Sequence, residues 1–201
     1  MHLQLLLLGA CTALATSIQL PEPSGPYHVA VHIQPFNDTS RADPLDPSGK
    51  SVSRRLLASI FLPVEEQHLC KAETVPYMTP AVAKAYGTRY AEVGFPDTLF
   101  GLFEMQLCSI PRAQPGCKPS PGKRHEFPLL FLEPGFGESR LLYSAMARSF
   151  ASHGFAVVTV DHPFDAVVEF PDGTVIPAAN ISDSDTKALE KVVKVNHAPE
   201  V

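Results

Sequence analysis

The segment spanning residues 127–160 constrains the fold more than any other part of the sequence. Residues 127–132 form an almost wholly apolar run that ends at Pro134-Gly135-Phe136-Gly137, and residues 155–160 form a second apolar run. Residues 141–153, between them, have helical spacing. Continuous apolar runs predict strands covered on both faces, and strand–helix–strand order predicts a right-handed crossover between parallel strands. The fold class is therefore predicted to be α/β.

The predicted helix has signals at both ends. Ser139 is a candidate N-cap, and Gly154 stands where a C′ glycine ends a helix. Apolar side chains at helical spacing predict the face that packs on the sheet: Leu142, Ala145, Met146 and Phe150.

The first half of the chain predicts antiparallel strands. Val29, Val31 and Ile33 alternate with other residues as in a half-buried strand, and residues 54–62 predict a second strand. Residues 36–50 between them are polar and rich in turn formers, which predicts a loop closing an antiparallel hairpin.

Other elements follow from local composition. Residues 80–90 predict a helix with Pro80 in its first turn, and residues 99–110 predict a strand. Residues 111–124 are dense in Pro, Gly and Lys and predict a surface linker. Pro171-Asp172-Gly173 predicts the turn of a small exposed hairpin, and Ser184 is predicted to open a last helix with Leu189, Val192 and Val193 on its apolar side.

The N-terminus predicts the compartment. Residues 3–14 are apolar and uncharged but shorter than the ~20 residues that span a bilayer. Ala13-Leu14-Ala15 fits a cleavage site, so residues 1–17 are interpreted as a signal peptide of a secreted protein without a transmembrane segment. A buried apolar helix is the alternative, and residues 8–11 also resemble a bacterial lipobox that lacks its basic n-region.

Secretion favours a disulfide among the cysteines that remain after Cys11 is removed. Cys70 with Cys108 is the preferred pair because Cys117 lies in the Pro/Gly-rich stretch, and Cys108 with Cys117 stays open. The sequence has no C-x-x-C or His/Cys cluster, so no metal site is predicted.

Two surface features complete the sequence-based expectations. Asn37-Asp38-Thr39 and Asn180-Ile181-Ser182 are N-glycosylation sequons at Asn37 and Asn180. The net charge of −5 comes without a basic run, so nucleic acid is not an expected partner.

The glycine turn at residues 134–137 is the segment with most chemical content. A backbone N–H in a turn after an apolar strand can point into a cleft and stabilise an oxyanion, as in α/β-hydrolases. A plain tight turn between strand and helix is the alternative.

Longer motifs resemble a known family. They read F-P-L-L-F-L-E-P-G-F-G-E-S-R-L-L-Y-S at 127–144, A-S-H-G-F-A-V-V-T-V-D-H-P-F-D at 151–165 and V-E-F-P-D-G-T at 168–174, with G-P-Y-H-V, S-R-A-D-P and P-Y-M-T-P upstream. Together they resemble the platelet-activating factor acetylhydrolase family, particularly its secreted fungal-type members. The resemblance implies an α/β-hydrolase fold, a Ser-His-Asp triad and no metal or organic cofactor. The implied reaction is hydrolysis of short acyl esters, typically the sn-2 acetyl group of an ether phospholipid.

Only part of the family's machinery maps onto this sequence. Family members commonly have His-Gly-Leu-Gly where this chain has Pro134-Gly135-Phe136-Gly137, so the resemblance implies that the N–H of Phe136 is an oxyanion donor. The family's nucleophile turn, G-H-S-x-G-G, has no counterpart, and G-x-S-x-G does not occur in the 201 residues. The triad Asp and His lie further downstream in the family. The expectation is thus an incomplete α/β-hydrolase over residues 18–201, with N-terminal antiparallel strands and the first βαβ unit.

Polar residues near the predicted cleft are interpreted as structural. His153, Asp161, His162 and Asp165 are expected to belong to the scaffold, and Ser139 is expected to cap a helix rather than act as a nucleophile.

Three functional hypotheses follow. The leading one is a truncated, inactive member of a serine carboxylic-ester hydrolase family. The second is a non-catalytic secreted lipid-binding or decoy protein, and the third is a small domain whose likeness is only architectural. In the first case residues 127–132 would form an unpaired sheet edge, which predicts aggregation or poor secretion.

Overall fold

The computed structural model describes residues 17–48, 50, 52–65, 70–109, 126–179, 181 and 185–196. Several sequence-based predictions lie outside these residues: the signal peptide apart from residue 17, the 111–124 linker, Cys117, Asn180 and Ser184.

A long antiparallel hairpin forms the centre of the sheet. Strand β2 (His28–Ala42) pairs with β3 (Ser53–Val64) from His28↔Val64 to Asp38↔Arg54, and the register shifts before Ala42↔Ser53. The predicted hairpin is confirmed. The loop predicted for residues 36–50 is wrong over residues 36–42, because pairing with β3 satisfies the backbone there even though most side chains are exposed.

Shorter strands extend the sheet beyond β2. The order is β1, β5, β2, β3, β7 (Ala156–Asp161) and β6 (Leu129–Phe131), and β4 also pairs with β5. Strands β1 (Ile18–Gln19) and β5 (Phe103–Ser109) are parallel, whereas β4 (Lys71–Pro76) is antiparallel to β5. The strand predicted at residues 99–110 begins later than expected, because Leu99–Gly101 forms a 3₁₀ turn.

The predicted crossover unit is present. Strand β6 (Leu129–Phe131) leads through a 3₁₀ turn (Arg140–Tyr143) into helix α2 (Ser144–Ser152) and strand β7 (Ala156–Asp161). Strands β6 and β7 are parallel, and β7 pairs antiparallel with β3. The chain therefore has antiparallel strands followed by one parallel βαβ unit.

Strand β6 is not covered on both faces, contrary to the sequence-based expectation. Leu129 and Phe131 are 59% and 66% exposed, whereas Leu130 packs against the core. Among the described residues β6 pairs only with β7, so one of its edges lacks a neighbouring strand.

Helices α1 (Pro80–Ala91) and α2 contribute to the main core on one face of the sheet. The helix predicted at residues 80–90 is confirmed, with Pro80 in its first turn. The largest core members are Phe61, Tyr77, Met78, Tyr86, Met105, Leu107 and Leu141.

The buried face of α2 differs from the predicted one. Met146 and Phe150 are 49% and 40% exposed, whereas Ala147, Arg148 and Ala151 are buried. Burial of Arg148 is possible because its guanidinium donates to the carbonyl oxygens of Gln106 (3.0 Å) and Pro21. Helix α2 ends at Ser152 with His153 as its C-cap, and Gly154 occupies the C′ position, as expected, with φ of 94°.

A hairpin and a helix follow β7. Strands β8 (Val168–Glu169) and β9 (Val175–Ile176) are antiparallel, as a hairpin requires. The sequence predicted an exposed hairpin, but Val168 and Phe170 are buried against Leu57. Helix α3 (Thr186–Asn196) is capped by Asp185, whose Oδ1 accepts the N–H of Ala188 at 3.0 Å. Val192 is buried, while Val193 is exposed.

Two covalent expectations fall on described residues. Cys70 and Cys108 form a disulfide, the pair preferred from the sequence. Asn37 lies exposed on β2. No helix in the described ranges is long and apolar enough to cross a bilayer.

Candidate functional site

The glycine turn after β6 is a β-turn closed by a hydrogen bond from the N–H of Glu138 to the carbonyl of Gly135, at 3.0 Å. Its third residue, Gly137, has φ of 73°. This sign at the third position is that of a type II turn and favours glycine. The backbone therefore favours glycine at position 137, whereas Gly135 has no positive φ.

Two side chains hold the turn. Asp165 Oδ1 accepts the N–H of Gly137 at 3.0 Å, and the hydroxyl of Tyr143 accepts the N–H of Gly135 at 3.2 Å. The N–H of Phe136 donates to no protein acceptor within the described parts of the chain. The turn thus leaves one main-chain donor available at the end of β6, on a residue whose side chain is exposed.

The segment that carries Asp165 is itself strained. Phe164 has φ of 68°, a left-handed conformation that no other non-glycine residue of the described ranges adopts. The N–H groups of Asp165 and Ala166 donate to the carbonyl of His162, and Ala179 donates to the carbonyl of Phe164. Such strain costs ~1–3 kcal/mol and persists where surrounding contacts fix it. Here these contacts fix the backbone that carries Asp165.

Ser139 is a helix cap, as predicted. Its side chain is fully buried, its Oγ donates to Asp161 Oδ1 at 3.0 Å, and it accepts the N–H of Leu141 at 3.2 Å. A nucleophilic hydroxyl needs access and a base. The Ser139 hydroxyl has no access to solvent and donates to a carboxylate that is already paired.

Asp161 and Arg140 form a buried ion pair beneath the turn. Both residues are at most 2% exposed, and Arg140 also donates from its backbone N–H to Asp161 Oδ1 (2.6 Å) and from Nε to Ser59 Oγ (2.9 Å). The pair connects the start of the 3₁₀ turn to the end of β7 and the middle of β3. Asp161 is thus part of the scaffold, as expected, whereas sequence reasoning missed Arg140.

A second polar group supports the turn from α1. Tyr86 Oη donates to Glu138 Oε2 at 2.5 Å and accepts the N–H of Ser139 at 2.8 Å, and Arg89 pairs with Glu138 Oε1 at 3.0 Å. Burial and the Glu138 carboxylate raise the pKa of the Tyr86 phenol well above its ordinary value, so Tyr86 stays a neutral donor. Sequence reasoning missed this group because its members come from two distant segments.

The two histidines singled out from the sequence lie apart. His153 is exposed at the far end of α2 from the turn, with Nε2 3.4 Å from Ser24 Oγ. His162 Nε2 contacts Glu133 Oε1 at 2.6 Å, just after β6. The structure therefore brings Asp165 and Phe136 together at the turn and places His153 elsewhere.

Metal-ligand atoms come together away from the turn. His28, Cys70 and Cys108 place one ligand atom each within 4.8 Å of the others. The sequence did not predict this group, since its members are far apart in the chain.

The sequence is similar to those of known esterases. Residues 97–168 match the family described as "Platelet-activating factor acetylhydrolase, isoform II", a span that includes the turn and Asp165. The chain is 34% identical over 183 residues to a "Probable 1-alkyl-2-acetylglycerophosphocholine esterase" of Arthroderma benhamiae, covering 89% of this chain and 46% of the relative. The chain therefore spans about half the length of the curated relative it matches.

A solved structure has the same architecture. The ferulic acid esterase from Streptomyces cinnamoneus superposes with a TM-score of 0.57 and 27% identity, over 88% of this chain and 48% of the esterase. With the antiparallel strands and βαβ unit described above, this similarity confirms the expected incomplete α/β-hydrolase fold. The chain is therefore similar in sequence to the platelet-activating factor acetylhydrolase family over residues 97–168 and similar in fold to an esterase over most of its described length.

Proposed function

We propose that this chain supplies the oxyanion-binding portion of a serine carboxylic-ester hydrolase that removes short sn-2 acyl groups from phospholipids. The observation that carries the proposal is the turn at residues 135–138, whose Phe136 N–H has no protein acceptor among the described residues. In such a hydrolase this N–H stabilises the negative charge that develops on the carbonyl oxygen when a serine attacks the ester.

The substrate class rests on the relatives' names. The Arthroderma relative is named for an alkyl-acetyl-glycerophosphocholine ester, and the Streptomyces esterase for ferulic acid. The higher identity and the family match favour the phospholipid ester for this chain.

We propose that the 201-residue polypeptide alone is inactive, as a truncated member of the family. It contains no G-x-S-x-G turn, and Ser139 is buried and hydrogen-bonded. In a protein of the relatives' length, the nucleophile and its acid and base would come from outside these residues. Incubation with a p-nitrophenyl acetate substrate and a fluorophosphonate probe tests this, and stoichiometric serine labelling would refute it.

The oxyanion role needs an active background. A chimera in which the unmatched C-terminal part of the Arthroderma relative follows Val201 provides one, with acetate release from a 2-acetyl ether phospholipid as the readout. Phe136→Pro removes the N–H, and Pro is favoured at the second position of a type II turn, so the turn itself is preserved. We expect kcat to fall on the order of 10²- to 10³-fold, the usual effect of losing one oxyanion donor.

Phe136→Leu is the matched control because it keeps the main-chain donor, and its kcat should stay close to that of the parent chimera. Equal kcat for the Pro and Leu variants would show that the Phe136 N–H is not an oxyanion donor.

The second candidate is a non-catalytic lipid-binding or decoy protein. The exposed apolar side chains of β6, Leu129 and Phe131, favour it. Co-sedimentation of the 201-residue protein with phosphatidylcholine vesicles distinguishes this candidate from the esterase proposal. If a folded monomer binds the vesicles and the Phe131→Lys variant does not, the lipid-binding or decoy function is supported.

We also propose that the protein is secreted and glycosylated at Asn37 and Asn180. The Cys70–Cys108 disulfide supports an oxidising compartment, and the exposure of Asn37 fits an acceptor site. Expression in a eukaryotic host, with glycosidase treatment of the medium fraction, tests both points.

A further inference from the structure

Three strand ends converge on the Cys70–Cys108 disulfide. Cys70 immediately precedes β4, Cys108 lies near the end of β5, and His28 is the first residue of β2. This cluster is separate from the glycine turn, because its cysteines and histidine lie on the β1–β5 side of the sheet.

Backbone pairing, and not only the disulfide, holds these residues together. β4 and β5 are paired from Lys71↔Ser109 through Pro76↔Glu104, which includes Ala72↔Cys108. β2 and β5 meet at Ala30↔Cys108. Reduction of the disulfide therefore leaves both ladders in place, so the two sulfur atoms stay close together.

The geometry is near that of a zinc site. The ligand atoms of His28, Cys70 and Cys108 lie within 4.8 Å of one another. Zinc bonds of about 2.0–2.3 Å hold tetrahedral ligand atoms roughly 3.5 Å apart. The two Sγ atoms, bonded to each other in the oxidised protein, must therefore move apart after reduction, and the widest pair must close by on the order of 1 Å. The His28 ring can make this movement because the residue is exposed and its side chain forms no hydrogen bond with any described residue, although its backbone is paired with β3.

The surroundings leave room for a further ligand. A cavity of about 320 Å³ is lined by all three residues, together with Glu22 and Arg148 among others. The Arg148 charge is partly balanced by Glu22, at 4.0 Å. Two thiolates would neutralise a divalent ion and so limit its repulsion with Arg148.

We propose that the reduced form of this protein binds a thiophilic divalent cation, Zn²⁺ in the first instance, through His28, Cys70 and Cys108. A dithiol or phosphine reductant transfers two electrons to the disulfide and is itself oxidised, the Sγ–Sγ bond breaks, and two thiols form. The metal displaces both thiol protons, and neutral His28 donates a nitrogen lone pair. The fourth position faces the cavity and takes water or a small ligand. The site exists only in the reduced protein, because the disulfide occupies both sulfur atoms.

Co²⁺, a spectroscopic substitute for Zn²⁺, tests the proposal on the full 201-residue chain carrying Cys11→Ser and Cys117→Ser. The protein is reduced with a water-soluble phosphine, which adds no thiolate ligand of its own. We expect sulfur-to-cobalt charge-transfer bands and tetrahedral d–d bands in the reduced protein, with Zn²⁺ displacing Co²⁺ at one equivalent. The oxidised protein should show neither band.

Two variants identify the ligands. Cys70→Ser should abolish the sulfur-to-cobalt charge-transfer bands that arise from the two thiolates binding together. His28→Gln should weaken metal affinity at least ~10- to 100-fold, which is the effect of losing even an outer-shell partner. His32→Gln is the matched control: His32 lies four residues further along the same strand and contacts Gln34, and its loss should leave affinity unchanged.

The outcomes are decisive. Equal Co²⁺ affinity of the reduced protein and Cys70→Ser overturns the proposal, as does equal affinity of His28→Gln and His32→Gln. Loss of the far-UV circular dichroism spectrum on reduction overturns it too, because the site requires the paired strands. None of these results bears on the proposed esterase role of Phe136.

Discussion

The carboxylate of Asp165 accepts a hydrogen bond of 3.0 Å from the backbone N–H of Gly137, 28 residues earlier in the chain. This contact fixes one amide of the glycine turn and leaves the neighbouring Phe136 N–H available. The carboxylate therefore acts on the turn by positioning it.

Asp165→Ala should loosen the turn. Loss of a hydrogen bond to a charged, buried acceptor leaves the Gly137 N–H unsatisfied and costs ~1–3 kcal/mol. Urea unfolding measures the stability, and hydrogen exchange of the Gly137 amide should accelerate. Asp165→Asn keeps an oxygen acceptor, so its free energy of unfolding should fall much less. Equal losses of stability in both variants would contradict the positioning role.

Gly137→Ala should destabilise the protein through backbone conformation alone. The position has φ of 73° and nothing within 4 Å of an added Cβ, so no clash contributes. A left-handed alanine costs ~1–2 kcal/mol. Gly101→Ala also adds a Cβ in open space but without a positive φ, so its free energy of unfolding should not fall. Thermal melts of both variants make the comparison.

Arg140→Met should be among the most damaging single changes. It leaves the fully buried Asp161 carboxylate without its cationic partner, and breaking one side of such a pair costs ~3–5 kcal/mol. Arg89→Met removes the exposed partner of Glu138, for which a loss of ~0–1 kcal/mol is expected. Denaturant midpoints that fall equally in the two variants would show that burial of the pair is irrelevant.

Asp43→Asn should stabilise the protein at neutral pH. Burial raises the pKa of the Asp43 carboxyl, so the folded state binds more protons than the unfolded state, and stability falls as pH rises through this pKa. Asn removes that penalty and keeps an acceptor for the Leu45 N–H, bonded at 2.9 Å. The gain in Tm over wild type should therefore shrink as pH falls below about 4.

Asp46→Asn is the control, for which the opposite change in Tm is expected. Hydrogen bonds from the Ser48 hydroxyl and N–H lower the pKa of Asp46, so its contribution is favourable above the unfolded pKa and is lost as pH falls. The variant should have a lower Tm than wild type at neutral pH. A pH-independent difference for either variant would contradict the assigned shifts.

Phe131→Lys should reduce self-association. Phe131 is exposed on β6, whose outer edge has no partner among the described residues, and a lysine on such an edge opposes strand addition. Val93 is 70% exposed but lies outside the sheet, so Val93→Lys is the matched control. Sedimentation velocity should show less oligomer for Phe131→Lys alone. A monodisperse wild-type monomer would contradict the aggregation predicted from the sequence.

Elements with strong local signals were predictable from the sequence. The 28–64 hairpin and the βαβ unit follow from apolar periodicity, and Ser139 and Gly154 mark the ends of the 139–154 helical segment by capping chemistry. The glycine turn was predictable because Gly137, between strand and helix, adopts a positive φ that glycine tolerates best. Its support by Asp165 was not, since that contact depends on how two segments fold together.

Features governed by tertiary contacts escaped prediction. Strand β4 exposes nearly all its side chains and so has no alternating pattern, although its backbone pairs fully with β5. The buried face of α2 contains Arg148, which periodicity assigns to solvent and which main-chain carbonyls accommodate. Met146 and Phe150 are exposed because the sheet lies on the other side of the helix.

The β3–β7 ladder has a consequence for biosynthesis. Its partners, such as Leu57 and Asp161, lie about 100 residues apart in the chain, so closing this pairing carries a large loop-entropy cost. A nascent chain that has emerged only to residue 109 can form the local hairpin, but β3 then has one bare edge. Until β7 is translated, that edge carries unpaired N–H and C=O groups, so the first half of the chain is open to strand addition by other chains.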